Sequence, residues 1–320
     1  MRTAVVLPVR GHARLLDGCL AALANQDQAL DEIVVVDDSP DASLEQLPGV
    51  TLVRSGGTGP YAARNVGWRT TDADLIFFLD ARSRPRPGWV SGLVPVFKDP
   101  GVALAGSEVL VDPGASLGAR ASHEQQFYRL RNYLARPFFL PYLPTCNLVV
   151  RRRDLEAVEG FSEVRSGGDA DFCWRVLSRP GRRLEAVQTV LMDWIPRDRA
   201  RDFLEQNYRY GKSNHLLRSQ WAAQGAPMAA ARPHVPLLRS LLGLSARMAV
   251  ALARRDVERE AKYLAWAAGV CFDVGYRIAV DRQRLTSRWR RDAVEATSGV
   301  VPAVGPDKTP NPADAARTPV

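Results

Sequence analysis

Cysteine is scarce in this chain of 320 residues: four, at positions 19, 146, 173 and 271, far apart and without paired spacing. No zinc knuckle or disulfide framework follows from that spacing, and a reducing compartment is the expected setting. Histidine is as scarce, with four scattered residues, and lysine stands only at 98, 212, 262 and 308, so arginine carries nearly all the positive charge. No run of about 18 uncharged apolar residues exists, and no membrane-spanning helix is expected. The apolar run from Thr3 to Val9 is too short for a secretory leader and reads as a strand.

What is present is ordinary globular composition. A hydrophobic fraction of 46% with 24% charged residues excludes global disorder, collagen and a simple coiled coil. The length suits two domains, or one large domain with an appendage. Charge is uneven. From Arg197 to Arg291 nineteen Lys/Arg face eight Asp/Glu, a net of +11, and the chain total of +8 leaves −3 for the remainder. Such a basic region attracts anionic lipid or nucleic acid. An Arg-rich composition alone produces part of the same signal, as solvated helical faces.

The first 110 residues alternate between two periods. Ala4 to Pro8, Ile33 to Val36, Thr51 to Val53 and Leu75 to Leu79 are continuous apolar runs, as strands buried on both faces would be. Between them Leu15, Leu16, Cys19, Leu20 and Leu23 recur at helical spacing, and Pro60 opens a helix through Trp68. A helix over Trp89 to Phe97 and a strand over Val102 to Ala105 follow. This alternation predicts an α/β fold with a mostly parallel sheet flanked by helices. Further on, His123 to Leu134 reads as a helix, Cys146 to Val150 as a strand, Asp169 to Leu177 as a helix and Ala186 to Met192 as an edge strand. Beyond Asp198 strand signals vanish. Asp202 to Leu217, Pro236 to Ala253 and Val257 to Val280 read as helices, and the Pro/Ala/Gly-rich tail from Thr297 as disordered.

Acidic groups end two of the buried strands: Asp37-Asp38 after the second and Asp80 after the fourth. In open α/β sheets ligands bind beyond the carboxyl ends of the strands. A carboxylate there either caps a turn or binds ribose hydroxyls, a base N–H or a divalent cation. A dinucleotide oxidoreductase would carry G-x-G-x-x-G after its first strand. The turn here is Pro8-Val9-Arg10-Gly11-His12, so hydride transfer is excluded at its defining loop. Gly56 to Gly59 before Pro60 can hold phosphate or simply form a loop. Gly167-Gly168-Asp169-Ala170-Asp171 is the third acidic cluster, and Asp169 suits either a helix N-cap or a ligand-facing role.

Taken in order, these pieces resemble the family 2 glycosyltransferases of GT-A fold. The pieces are Val5-Val6-Leu7-Pro8-Val9, Ile33 to Ser39, Ala62-Ala63-Arg64-Asn65-Val66-Gly67, and Leu79-Asp80-Ala81-Arg82 with Pro87-Gly88-Trp89. Then come Cys146 to Arg152, Gly168 to Asp171 with Arg175, and Gln206 to Tyr210. Each is short, and the ordered set covers roughly residues 3 to 215.

The resemblance implies a GT-A-like domain over 1–215, followed by a basic amphipathic helical region over 216–296 and the tail over 297–320. It implies inverting transfer of a sugar from a UDP- or GDP-sugar to an acceptor hydroxyl. Asp37 and Asp38 match residues that hold base and ribose, with Pro8 and Arg10 on the same donor side. Arg64 matches a residue near the donor diphosphate, beside Asn65. Asp80 matches the first acid of D-x-D, which contacts ribose and a Mg²⁺ or Mn²⁺ on the diphosphate, and is the one metal ligand expected. Asp169 matches the catalytic base. Asn147, Asp171, Gln206, Arg209 and Tyr210 fall on the acceptor or phosphate side, the last three resembling a Q-x-x-R-W-like element.

Three departures stand out. Arg82 replaces the second acid of D-x-D, Gly168 replaces the acid usual before the base, and Asp193-Trp194 occupies the region of a histidine that sometimes ligates metal. Arg82 can itself neutralise diphosphate, because its planar fork suits phosphate oxygens. Weak or altered metal dependence is therefore expected. The basic helices, with their Leu, Trp and Tyr, suggest contact with an anionic membrane surface and hence a lipid-linked or cell-envelope glycan acceptor, in a cytoplasmic protein peripheral to the inner face of the cell membrane. The same helices packing on the catalytic domain or on a second subunit is the competing expectation. A catalytically impaired GT-A-fold protein serving as a binding or scaffolding subunit is the alternative function, supported by Arg82 and Gly168. Nucleic-acid binding has only charge behind it and is not expected.

Overall fold

Thr3–Val9 forms β1, and its alternating side chains feed two cores at once. Val5, Leu7 and Val9 face one layer together with Leu16, Phe77 and Trp89, while Ala4 and Val6 face the other with Val36, Phe78 and Phe172. Such two-sided burial is what a continuous apolar run in a covered sheet requires. The computed structural model describes the chain except residues 12, 42–43, 136–137 and 299–320, and except the side chains of 13 and 287–298.

Among the described residues the remaining strands are β2 (Glu32–Asp37), β3 (Thr51–Arg54), β4 (Leu75–Leu79), β5 (Ser83–Pro85), β6 (Val102–Val111), β7 (Asn147–Arg151) and β8 (Arg183–Trp194). They form one eight-stranded sheet in the order β3-β2-β1-β4-β7-β6-β8-β5. β1 runs parallel to β2 and β4, β2 to β3, and β6 to β8. β7 lies antiparallel between β4 and β6, and β5 antiparallel to β8. The sheet is thus mixed, and the expected α/β arrangement of strands covered by helices is what forms. Helix α1 (Ala13–Ala24) covers one face and α2 (Pro60–Thr70) the other. α2 lies so close to β1 that a Cβ on Gly67 would stand 2.4 Å from Val6 Cγ1.

Several expected boundaries shift. α3 (Trp89–Leu93) stops early, and Val94–Lys98 continues as a 3-10 turn because Pro95 has no N–H for the α ladder. The helix expected over His123 to Leu134 is instead α4 (Leu117–Gln125), capped by Ser116, whose hydroxyl accepts from Ala119 N. Gln126, left-handed at φ 45°, ends it by donating to the Ser122 and His123 carbonyls. The expected edge strand runs longer, Arg183 to Trp194, and its last three residues pair with the short β5, so only residues 183–191 form the sheet edge there. β5, a mere Ser-Arg-Pro, carries no periodic signal and was not expected.

The other helices are α5 (Arg152–Ala157), α6 (Gly168–Leu177), α7 (Ala200–Gln220), α8 (His234–Ala253) and α9 (Val257–Ser298). α7 runs unbroken across residue 215, the expected domain boundary. Residues 1–279 make one compact unit, which includes α8 and the first half of α9, and the described residues from Val280 on fall outside it. The tail expected from Thr297 lies, from residue 299, outside the described residues. By length and composition α8 is long and apolar enough to cross a membrane. Arg239 and Arg247 break its uncharged run, which is why no spanning helix was expected, yet leave its average apolar. Only Leu237 and Ala251 of α8 are buried.

α7 and α9 touch backbone to backbone. A Cβ on Gly211 would lie 1.9 Å from the Phe272 carbonyl oxygen, and one on Gly275 would lie 2.0 Å from that of Tyr208. No rotamer relieves a clash with backbone. Gly275→Ala is therefore expected to cost about 1–3 kcal/mol of stability by overpacking. Gly243→Ala, whose Cβ would meet nothing within 4 Å, should gain about 1 kcal/mol from helix propensity. Urea unfolding of the two variants measures both signs, and equal midpoints would refute the tight crossing.

Candidate functional site

The carboxyl ends of β1, β2 and β4 open on one cavity of about 600 Å³. Pro8, Val9 and Arg10 come from the end of β1, Asp38 from the end of β2, and Asp80, Ala81 and Arg82 from the end of β4. Pro60, Tyr61 and Arg64 enter from the first turns of α2. Gly167 and Asp169 enter from the start of α6, and Gln206, Arg209 and Tyr210 from α7. Ten of the fourteen site residues expected from the sequence thus share this cavity.

Arg64 stands at its centre. Its side chain is 3% exposed and ion-paired to the Asp80 carboxylate, it donates to the Pro60 carbonyl at 3.1 Å, and its guanidinium lies over the Tyr61 ring at 5.4 Å. Its Nε is buried without a hydrogen-bond partner. Asp38 accepts from Ser55 Oγ at 2.8 Å and from Gly59 N at 3.1 Å, which fixes the glycine loop leading into α2. Arg82 donates to the Ile195 and Pro196 carbonyls at 3.2 and 2.8 Å, so it reaches across the end of β8.

Asp169 is half-buried in the wall of the same cavity. Gly167, left-handed at φ 85°, turns the chain into α6. Tyr61 Oη donates to Asp169 Oδ1 at 3.2 Å and Ala170 N donates to the same oxygen at 3.0 Å. Burial pushes the Asp169 carboxyl above the ordinary carboxylate range, opposed by the Ala170 N–H, the Arg64 charge and the Tyr61 hydroxyl. A Cβ on Gly168 would stand 2.9 Å from the Tyr61 ring. The tyrosine ring therefore occupies the space that an acid at position 168 would need.

Above this pair, Gln206 Nε2 donates to Tyr210 Oη at 2.7 Å, Tyr210 and Tyr128 share a hydroxyl contact at 3.3 Å, and Arg197 Nε donates to Gln206 Oε1 at 3.1 Å. Burial raises the hydroxyls of Tyr128 and Tyr210 above their ordinary value, so both remain neutral hydrogen-bonding groups.

Four expected site residues do not line this cavity. Asp37 is fully buried; its carboxylate accepts from Ser39 N at 2.9 Å and Leu44 N at 3.0 Å and shapes the turn after β2. Burial works to raise its carboxyl, but these hydrogen bonds and Arg54 hold it below the ordinary range. Asn65 donates to the Phe161 carbonyl at 2.7 Å and accepts from Phe161 N at 2.9 Å and Trp68 Nε1 at 3.1 Å. Asn147 bridges Ser107 O and Trp89 Nε1, each at 2.8 Å. Asp171 accepts from Ser162, Arg175, Gln220 and Trp221. Conversely, Tyr61, Tyr128, Arg165 and Arg197 line the cavity unforeseen. Tyr61 was within reach, since it sits three residues before Arg64 on one helix face.

Six arginines (10, 64, 82, 165, 197 and 209) line the cavity against three aspartates (38, 80 and 169). That excess suits a polyanion. For a cation the donor set fits poorly. Asp80 is bound to Arg64, position 82 is a guanidinium, and no group of three or more His, Cys, Asp or Glu suited to a metal occurs among the described residues.

Residues 4–158 match the family model described as Glycosyl transferase family 2. The pre-mycofactocin glycosyltransferase of Mycobacterium tuberculosis is 31% identical over 236 residues, which is 70% of this chain and 49% of that protein. The chain thus spans about half the length of that curated relative. Glycosyltransferase AglE of Haloferax volcanii is 26% identical over 224 residues, 65% of this chain and 71% of AglE. Among solved structures, the mannosyltransferase PcManGT from Pyrobaculum calidifontis, in complex with GDP-Man and Mn²⁺, superimposes with a TM-score of 0.52 at 20% identity, over 83% of this chain and 86% of that one. The shared fold is the expected GT-A type.

The raised carboxyl of Asp169 carries a stability signature. The folded state holds its proton more tightly than the unfolded chain does. Stability therefore falls as pH rises from the ordinary 3.8 through the raised folded value, and the deficit persists above it. Asp169→Asn removes the deficit. The variant should be more stable than the parent at neutral pH, with the gain shrinking as pH approaches 3.8. Chemical unfolding across that range measures it, and equal stability at neutral pH would contradict the assignment.

Proposed function

Since this chain belongs to glycosyl transferase family 2 through residues 4–158, we propose that it transfers a sugar from a UDP- or GDP-sugar to an acceptor hydroxyl, inverting the anomeric centre. The observation that carries the reading is the convergence of Asp38, the Arg64–Asp80 pair and Asp169, distant in sequence, on one arginine-rich cavity.

In this reading the nucleoside lies at the Pro8, Arg10 and Asp38 end, and the diphosphate lies against Arg64 and Arg82. Arg64 is already desolvated and holds Asp80, so the diphosphate competes for a guanidinium whose Nε has no other partner. Fixed positive charge at that point stabilises the departing nucleotide as the glycosidic bond breaks. Asp169 accepts the proton of the acceptor hydroxyl as the new C–O bond forms. A carboxylate of raised proton affinity is better matched to that task than an ordinary one. Tyr61 and Ala170 N both bond Oδ1 of Asp169, which leaves Oδ2 for the acceptor proton. Only one base is needed, because the leaving group departs as a stable anion. Asp80 can hold ribose; PcManGT was solved with Mn²⁺, whereas the six arginines around this cavity support charge neutralisation by arginine, and no step is routed through a metal.

A panel of UDP- and GDP-sugars, assayed for transfer and hydrolysis with and without EDTA, tests this. Turnover is expected to survive EDTA and to fall about 10²–10⁴-fold in Asp169→Asn, while the variant is still stabilised by the donor. Activity lost in EDTA and restored by Mn²⁺ refutes the arginine-only assignment. Donor binding without turnover of any sugar by the parent favours the non-catalytic, scaffolding alternative.

We also infer that the helical region brings the chain to the inner face of the cell membrane from the cytoplasm, toward a lipid-linked or cell-envelope glycan acceptor. Val235, Leu238, Leu242 and Trp266 are exposed, with Leu242 at 63%, and basic residues such as Arg239 and Arg254 lie among them. Apolar side chains can enter the acyl boundary while the arginines meet acidic headgroups. The chain should float with phosphatidylglycerol vesicles at low salt and be released by high salt; failure to float at low salt removes the inference.

A further inference from the structure

α8 and the first half of α9 enclose a second cavity, of about 800 Å³. It is distinct from the cavity of Asp169, but Phe127 and Phe272 stand in the walls of both. Its lining is amphiphilic. Leu244, Ala265, Trp266 and Val270 supply hydrocarbon, and three arginines, 232, 239 and 247, supply charge. Arg232 is partly neutralised, by Asp273 at 3.1 Å, and donates to Ser240 Oγ at 3.0 Å. Arg239 and Arg247 have no acidic partner among the described residues, and the Arg247 guanidinium lies 5.9 Å from the centre of the Trp266 ring.

The two glycines of this groove behave unlike those of the neighbouring crossing. Gly211 and Gly275 bring α7 and α9 into backbone contact, whereas a Cβ on Gly243 or Gly269 would meet nothing within 4 Å. Side chains there would project into open space. The groove is therefore a gap that the packing leaves, with apolar walls and two uncompensated cations.

We propose that this groove holds the hydrocarbon chain of an anionic lipid, its acidic group beside Arg239 and Ser240 and its chain along Leu244, Trp266 and Val270. Charge complementarity selects the anion, and burial of the chain against these walls supplies the affinity. The polar end then lies near the wall shared with the Asp169 cavity. The lipid is thereby placed as the acceptor of the transfer; this second clause rests on the reading above, whereas the binding does not.

Dansyl-labelled undecanoate, a soluble single-chain anion, is the probe, added to the full chain. Saturable, blue-shifted emission is expected. Gly243→Phe, whose Cβ would meet no atom within 4 Å and whose ring adds bulk to the groove wall, should weaken binding about tenfold, as should Arg239→Glu and use of the probe's methyl ester. UDP and GDP should still raise the melting temperature of both variants. Undiminished binding to Gly243→Phe, or equal binding of acid and ester, overturns the proposal. So does a dimer that excludes the probe and dissociates in Gly243→Phe, because the groove then belongs to a second copy. Probe binding with no response to any nucleotide sugar leaves the lipid groove standing and removes the transfer reading. With an active donor, sugar label should enter a butanol-extractable product from added membranes, and Gly243→Phe should lose that product while retaining donor hydrolysis; retained product overturns the acceptor clause.

Discussion

The ion pair between Arg64 and Asp80 is the constraint around which the cavity is organised. A guanidinium only 3% exposed is costly unless its charge is met. Here it is met by a carboxylate from the end of β4, and the pairing fixes α2 against the sheet. Once α2 is fixed, Tyr61, three residues earlier on the same face, is delivered to Asp169 on a different helix. One ion pair thus links β4, α2 and α6, three of the elements that line the cavity. A phosphate oxygen can accept the same charge-assisted hydrogen bond from Arg64 that Asp80 accepts. The polar centre is stable without a ligand yet matched to an anionic one.

The residues that look like motif but lie outside the cavity keep this centre in register. Asn65 ties α2 to the chain at Phe161 through two backbone hydrogen bonds. Asn147 ties β7 to Ser107 of β6 and to Trp89 of α3. Asp171 ties the start of α6 to Gln220 and Trp221 at the end of α7. Each is a buried polar side chain with its bonding capacity used, and loss of a partner would strand a desolvated group. Their presence in the ordered motif reflects the frame as much as the chemistry.

Much of this was legible in sequence, for identifiable reasons. The buried strands announce themselves because a sheet covered on both faces needs unbroken apolar runs, as in Ile33 to Val36 and Leu75 to Leu79. Asp80 and Asp169 could be picked out because a carboxylate at a strand end or after a glycine pair is locally conspicuous. Asp37 and Asp38 could not be told apart, since neighbouring residues at a strand end point to opposite sides and only the fold shows which side is the cavity. Tyr61 was within reach through its spacing to Arg64, but an aromatic at helical spacing is usually core and reads as such. The α8–α9 groove was hidden altogether, because helical periodicity says which residues share a face but not how far apart two helices stand.

α7 explains how the two cavities can lie so close. Gln206, Arg209, Tyr210, Ser213 and Leu217 recur at three- and four-residue steps and line the Asp169 cavity. Asn207 and Gly211, one step round the helix, face the other way: Asn207 lines the groove and accepts from Gln125 at 2.9 Å, and Gly211 admits α9 to backbone contact. A single helix therefore presents hydrogen-bonding groups to one compartment and its narrowest surface to the other. Because Gly211 lets α9 approach, Phe272 reaches the wall of the Asp169 cavity, where the stacked pair Phe127 and Tyr210 already stands. Phe127 and Phe272 form an aromatic layer that belongs to the walls of both compartments. A change at the glycine crossing would move that layer, so the fit of the helices and the shape of the polar cavity are physically coupled through α7.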